Sequence, residues 1–105
     1  MEERIKELEK AVEKLDADRK AVILPLLPTI AFYEEQIRDC RSKPQLIVNP
    51  KDPTLQKITP AAKQLAKIVP IYLNTVKTVL TALYKIENDA ADELLAKLKE
   101  FDLEQ

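Results

Sequence analysis

The 105-residue chain lacks glycine, tryptophan and histidine altogether and has a single cysteine, Cys40. A chain without glycine cannot build a Gly-rich phosphate loop or a dinucleotide-binding turn, because both need backbone positions free of a Cβ atom. The absence of histidine excludes His-based triads and His-containing zinc or iron sites. One cysteine can form neither an internal disulfide nor a Cys-rich metal site. We therefore expect no metal and no cofactor.

Charge of either sign is not in excess, since 17 Lys and Arg face 18 Asp and Glu. This balance argues against a dedicated, sequence-independent nucleic-acid binder. The longest uncharged stretch, residues 21–33, is too short to span a membrane and contains two prolines. The acidic Glu2–Glu3 start is also wrong for a signal peptide. We predict a soluble, intracellular protein with no membrane partner.

Carboxylates are plentiful, but they lie where solvated helix faces need them. Glu34 and Glu35 form the one adjacent pair near an apolar region, and adjacent residues on a helix point about 100° apart. No nucleophile–base pair is visible. We predict that the protein is not an enzyme and has no catalytic residues.

Apolar residues in the first part of the chain recur at a heptad-like spacing, which predicts a helix over residues 2–41 that faces a partner helix. This stripe comprises Ile5, Leu8, Val12, Leu15, Val22 and Leu26 and resumes as Ile30, Tyr33, Ile37 and Cys40. Arg19 interrupts it: either the seam opens to solvent there, which we favour, or an ion pair fixes the register. Pro25 and Pro28 predict a kink or a break. We favour a kinked, nearly continuous helix, with Cys40 as a small buried apolar residue.

Residues 42–58 contain three prolines and predict an extended connector. Within it, Leu46–Ile47–Val48 is a candidate short strand that ends in the Asn49–Pro50 turn signal. We expect its apolar residues to pack onto the helices that it joins.

A second helix is predicted over residues 60–87, with Thr59 as N-cap and Pro60 in the first turn. Pro70 should bend it. Its a/d series is Leu65, Val69, Tyr72, Val76, Val79, Leu83 and Ile86. Asn88–Asp89 offers caps for a third helix over residues 89–103, with Leu94, Leu95, Leu98 and Phe101 on one face.

The predicted fold is thus all-α: one helical domain over residues 1–105, made of a long, proline-kinked antiparallel helical hairpin with coiled-coil-like heptads, an extended connector and a short C-terminal helix. Two long apolar seams exceed what a two-helix hairpin can bury, so we predict a homo-oligomer. The predicted helix-packing or oligomer seam is Ile5, Leu8, Val12, Leu15, Leu65, Val69, Tyr72, Val76, Val79, Leu83 and Ile86.

The second helix is basic, whereas the C-terminal segment is acidic. We favour solvated faces as the reason. The alternative is that lysines of the second helix meet nucleic-acid phosphates, which has weak support because no aromatic residues are interleaved with them. The candidate phosphate contacts are Lys63, Lys67, Lys77 and Lys85.

The middle of the chain resembles phage and prophage terminase small subunits over residues 29–84. The resemblance is carried by residues 32–37 (FYEEQI), residues 46–50 (LIVNP), residues 59–64 (TPAAKQ), and residues 72–74 (YLN) with Lys77. The order is a helix, an extended segment that ends in an Asn-Pro turn, and a long helix. We read the matched Asn49–Pro50 and Thr59–Pro60–Ala61–Ala62 positions as structural.

This resemblance implies a helical, oligomeric, non-enzymatic component of viral DNA packaging in the cytoplasm of a bacterial host. Terminase small subunits recognise viral DNA and regulate a separate large subunit, which is therefore an expected partner. They commonly carry an N-terminal helix-turn-helix region, whereas residues 2–24 here form a heptad pattern. The alternative function is a coiled-coil structural or adaptor protein with no DNA role.

Overall fold

The computed structural model describes residues 1–101, and it is 71% helical with one two-stranded sheet. The predicted all-α class is confirmed. The helices are α1 (Glu2–Ala11), α2 (Ala17–Ile23), α3 (Leu26–Arg41), α4 (Pro60–Ile86) and α5 (Asn88–Lys99); the strands are β1 (Leu46–Val48) and β2 (Gln56–Ile58).

Helices α3 and α4 form an antiparallel pair, because Glu34 lies beside Tyr72 while Leu26 lies farther along α4 beside Val79. Helix α5 turns back along α4, and α1 packs against both α5 and α3. The result is an elongated molecule of 62 × 24 × 19 Å. Its core contains apolar residues of every helix, including Leu8, Ile23, Leu27, Ile30, Ile37, Val79, Leu83 and Leu94, which are fully buried.

The predicted kinked helix over residues 2–41 is three helices in the structure, which corrects the prediction of a nearly continuous element. Helix α1 ends at Ala11, and α2 starts after Asp16, whose side chain accepts a hydrogen bond of 2.9 Å from the Arg19 backbone N–H. An aspartate that caps a new helix competes with continuation of the old one. The side chain of Arg19 is 54% exposed and pairs with Asp16 at 3.3 Å, in agreement with a seam that opens to solvent.

Proline positions explain the next boundary. Pro25 is the N-cap residue of α3, and Pro28 lies in the first turn of that helix. A first-turn residue has no helical partner for its N–H, so proline costs no hydrogen bond there. The apolar stripe of α3 therefore follows directly after the break, and Cys40 is buried in it.

Helix α4 begins as predicted, since the Thr59 hydroxyl oxygen accepts from the Ala62 backbone N–H at 3.1 Å and Pro60 follows it. Pro70 lies inside the helix, and the long helix bends by 28°. Glu87 is the N-cap residue of α5, so the predicted caps Asn88 and Asp89 are already helical. The side chain of Glu87 makes no capping hydrogen bond. Helix α5 ends at Lys99 rather than residue 103, and residues 102–103 of the prediction lie outside the described residues.

The connector is a β-hairpin in which Leu46 pairs with Ile58, Ile47 with Lys57, and Val48 with Gln56. Its turn is held by side chains: Asn49 accepts from the Lys51 N–H at 2.9 Å, and Asp52 accepts from the Thr54 N–H and hydroxyl at 3.1 and 2.6 Å. The two bonds from Thr54, first that of its hydroxyl and then that of its N–H, lower the pKa of the Asp52 carboxyl.

The expectation that the connector packs onto the helices is wrong. Each strand has its substantial contacts with the other strand rather than with a helix. Five apolar side chains of this hairpin are between 47% and 58% exposed: Leu46, Ile47, Val48, Leu55 and Ile58. The hairpin is anchored at its base instead, where the Thr59 hydroxyl donates to the Pro44 carbonyl oxygen at 2.7 Å.

The absence of glycine has a direct counterpart in the backbone. Across residues 1–101, no residue has a positive φ angle. Every boundary is made by an extended residue, a proline or a right-handed turn, so the fold needs no left-handed position that would favour glycine.

Candidate functional site

The outer face of α4 carries the four lysines that the sequence suggested as phosphate contacts. At 100° per residue, Lys63, Lys67, Lys77 and Lys85 fall within an arc of about 80°. All four are exposed, and the buried residues Tyr72 and Val79 lie on the opposite side of the helix. The structure therefore brings the four together as one surface, which we call the lysine face.

Acidic side chains are missing from this helix. Residues 60–86 contain four lysines and no Asp or Glu. Within residues 1–101, none of the four lysines has an ion-pair partner. Asn74, Thr78 and Thr81 are exposed between them, so the surface combines positive charge with small polar side chains. This composition suits an anionic partner.

The predicted seam residues lie mainly in the chain's own core. Leu8, Val12, Leu15, Tyr72, Val79 and Leu83 are buried, and Ile5, Leu65, Val69, Val76 and Ile86 are half-buried. Apart from Ile5, all of these belong to the hydrophobic cluster or pack against it. The reason is that α1 packs on α3 and α5 packs on α4. These two helices cover apolar residues that a hairpin of two helices would leave exposed.

A buried polar network crosses the bundle near its middle. Arg4 of α1 forms two parallel bonds to the Glu34 carboxylate of α3, from Nε to Oε1 at 2.7 Å and from Nη2 to Oε2 at 3.0 Å. The Tyr72 hydroxyl of α4 donates to Glu34 Oε2 at 2.9 Å. Arg4 Nη2 also donates to the Lys97 carbonyl oxygen of α5 at 3.0 Å. Four helices therefore meet at one ion pair.

Burial and charge both act on this network. Glu34 is 2% exposed, whereas the Arg4 side chain is 19% exposed and also approaches Glu7 and Glu100 at 3.3 and 3.5 Å. The bond to Glu34 raises the pKa of Arg4, so its positive charge is retained. Burial, followed by the Glu34 charge, raises the pKa of the Tyr72 hydroxyl, which therefore stays protonated.

The aromatic end of the network continues to the surface. The Tyr72 ring meets Phe101 edge-on, with ring centroids 5.6 Å apart. The Arg38 guanidinium carbon lies 5.6 Å from the centroid of the same Phe101 ring. Phe101 is half-buried and closes the layer between α3 and α4 at the end of the described chain.

The arrangement is suited to holding helices together. Both Glu34 oxygens already accept bonds from Arg4 or Tyr72, and the carboxylate is shielded from solvent. Among residues 1–101, no buried side-chain polar atom lacks a hydrogen-bond partner. The same residues contain no group of three or more His, Cys, Asp or Glu that could hold a metal ion.

Sequence reasoning missed this network, although a signal was present. Glu34 lies four residues after Ile30 and three before Ile37, which places a carboxylate in the apolar stripe of α3. Arg4 lies four residues before Leu8 and so falls on the stripe of α1. Each of these two predicted helices carries one charged residue in its apolar stripe, and the two charges have opposite signs. This pattern is expected of an ion pair that is buried between helices.

Comparisons with known proteins do not assign this chain to a family. No protein-family model, no curated protein and no solved structure matches the chain. A search of the described helices finds none that combines the length and the apolar character needed to cross a membrane.

Proposed function

We propose that the protein is a non-enzymatic, nucleic-acid-contacting helical protein of the terminase small-subunit type, and that its lysine face binds the phosphate backbone. The observation that carries this proposal is the acid-free outer face of α4. Its large-subunit partner and its place in viral DNA packaging in a bacterial cytoplasm follow from the sequence resemblance.

The dimensions of the lysine face support contact with a duplex. From Lys63 to Lys85 the helix rises about 33 Å, close to the ~34 Å of one turn of B-DNA. Four cations along this length can contact a few phosphates of one backbone segment. Such contacts give affinity without sequence information, and that affinity depends strongly on salt.

The element order of the resembling region also agrees with the proposal. Helix α3, strand β1 with its Asn49–Pro50 end, and helix α4 follow one another as the resemblance implies. The near-neutral net charge limits the strength of the interaction, so we expect binding at low salt and its loss near physiological salt.

The second candidate function is a structural or adaptor protein with no DNA role. The exposed apolar β-hairpin favours it, since contiguous exposed apolar side chains mark protein–protein contact sites. The two candidates differ in one measurable property, which is salt-dependent binding to DNA.

The test measures binding of a short fluorescent duplex across a series of salt concentrations, for the parent and for Lys67→Gln/Lys77→Gln. Each lost phosphate contact should reduce the slope of log K against log salt by about 0.9, so the double variant should lose about 1.8. The matched control is Lys6→Gln/Lys10→Gln, which removes two exposed lysines from α1 and changes the net charge equally.

The control should bind with the slope of the parent. Equal losses in both double variants would show that net charge, rather than the lysine face, governs binding. Absence of binding by the parent at low salt would reject the DNA-contacting function and leave the adaptor function.

A further inference from the structure

The outer edge of strand β1 is an unpaired sheet edge of three residues that carries no charged side chain. Native edge strands are commonly blocked by lysine, proline or a bulge. Leu46, Ile47 and Val48 carry no charge, and all three side chains are about half exposed. The opposite edge of the hairpin, strand β2, carries Lys57.

Two hydrogen bonds establish which backbone groups face outward. The Asn49 N–H donates to the Leu55 carbonyl oxygen at 3.0 Å, and the Thr59 N–H donates to the Gln45 carbonyl oxygen at 3.2 Å. Hydrogen-bonded pairs alternate along an antiparallel ladder, so Ile47 between them also faces β2. The N–H and C=O groups of Leu46 and Val48 therefore point away from the hairpin and are available to another strand.

We propose that β1 pairs antiparallel with β1 of a second copy of this chain, with the twofold axis at Ile47. Leu46 of one copy then lies opposite Val48 of the other, and each such pair exchanges both N–H···O=C bonds. Ile47 meets Ile47 of the second copy as a non-hydrogen-bonded pair, the arrangement in which opposing side chains are closest. Gln45 lies opposite Asn49, beyond which Pro44 and Pro50 end the pairing.

Charge selects β1 rather than β2 for this contact. A twofold pairing centred on the middle residue of β2 would put Lys57 directly opposite Lys57 of the second copy, and like charges opposite each other are destabilising. The β1 pairing brings the apolar side chains of Leu46, Ile47 and Val48 into register and places no charged side chain opposite another. It is also self-complementary, as an isologous dimer interface requires.

The pairing also completes an otherwise marginal element. A lone two-stranded hairpin is barely stable in water, whereas three or more strands with an apolar face are stable. The sheet order in the dimer is β2–β1–β1–β2, and its shared face gathers Leu46, Val48 and Ile58 from both copies. This surface is separate from the lysine face of α4, so the dimer does not depend on the proposed function.

The first test is sedimentation velocity over a concentration series from about 10 µM to about 1 mM, because so short an interface gives a weak dimer. The parent should shift from monomer to dimer. Ile47→Lys should remain monomeric, since it places two lysines opposite each other at the axis. Gln56→Lys adds the same charge to strand β2, which lies away from the proposed interface, and should dimerise like the parent.

Helical circular dichroism should be equal in all three proteins, because the hairpin is not packed on the helices. A parent that stays monomeric throughout the series overturns the proposal and leaves the edge to a strand of another protein. An Ile47→Lys variant that dimerises like the parent also overturns it.

The second test is disulfide cross-linking of Ile47→Cys and Lys57→Cys under mild oxidation. Opposed Ile47 Cα atoms would be about 4.5 Å apart, within the range for a disulfide. The two Lys57 Cα atoms would be about 14 Å apart across three strand spacings, which is too far. Cross-linking of Ile47→Cys alone supports the proposal, whereas preferential cross-linking of Lys57→Cys would place β2 at the interface and refute it.

Discussion

Replacement of Arg4 by alanine tests whether the buried ion pair holds the bundle together. The variant removes both bonds to Glu34, at 2.7 and 3.0 Å, and leaves the carboxylate with the Tyr72 hydroxyl as its hydrogen-bond donor among the described residues. Glu34 is 2% exposed in the parent, so the variant removes the charge that compensates a buried carboxylate. Breaking a buried pair in this way typically costs about 3–5 kcal/mol.

That cost is large for a domain of this size. Small domains have unfolding free energies of about 5–15 kcal/mol, so the variant should lose a substantial fraction of its stability. At about 4–8 °C per kcal/mol, we expect the melting temperature to fall by at least about 12 °C. Unfolding in guanidinium chloride should have its midpoint at a lower denaturant concentration. The dependence of the unfolding free energy on denaturant concentration should be unchanged, because the surface exposed on unfolding is the same.

Arg19→Ala is the matched control, since it deletes the same side chain from an exposed pair with Asp16. Exposed pairs contribute about 0–1 kcal/mol, so its midpoint should lie near that of the parent. A triple variant, Arg4→Met/Glu34→Leu/Tyr72→Phe, replaces the network by apolar groups and should recover much of the loss. If Arg4→Ala were no less stable than Arg19→Ala, the reasoning that burial gives this pair its importance would be refuted.

Two further predictions concern the same core and the base of the hairpin. The pKa of Tyr72 is raised in the folded state, so the unfolded chain loses this proton first and stability should fall as pH rises above about 10. Denaturation titrations should show a clearly shallower fall in Tyr72→Phe and a smaller change in Tyr84→Phe, because the bond to Asp92 also raises the pKa of Tyr84 but that pair is exposed to solvent. Thr59→Ala removes a helix cap at 3.1 Å and the bond to the Pro44 carbonyl at 2.7 Å; it should lower the unfolding free energy by about 0.5–2 kcal/mol, and an unchanged denaturation midpoint would contradict this role.

Local signals predicted α4 almost to the residue. Thr59 and Pro60 specify its start through a cap and a first-turn proline, and an uninterrupted apolar series follows to Ile86. These signals act between neighbours in sequence, so sequence alone can reveal them. The break after α1 was missed because Asp16 occupies a polar position in a heptad pattern, where an aspartate that caps a helix looks like one that lies within it.

The hairpin and the network depend on distant residues and were harder to predict. Gln56–Lys57–Ile58 has no alternating apolar pattern, and its strand conformation comes from pairing with Leu46–Ile47–Val48. The apolar character of the latter run suggested burial, although the strand lies at an exposed edge. Likewise, Arg4 and Glu34 are thirty residues apart, and only the packing of α1 on α3 brings them within bonding distance.

The bond from Arg4 to the Lys97 carbonyl also constrains the order of assembly during synthesis. The α3–α4 pair can form once residue 86 has left the ribosome, whereas α1 must wait for α5 before its contacts are complete. Until then Arg4 has at most part of its partners, and the apolar side of α1 lacks the helix that covers it. Helix α1 is synthesised before the other described helices and is nevertheless among the last of them to complete its packing. A nascent chain that ends before about residue 97 should therefore hold α1 only loosely.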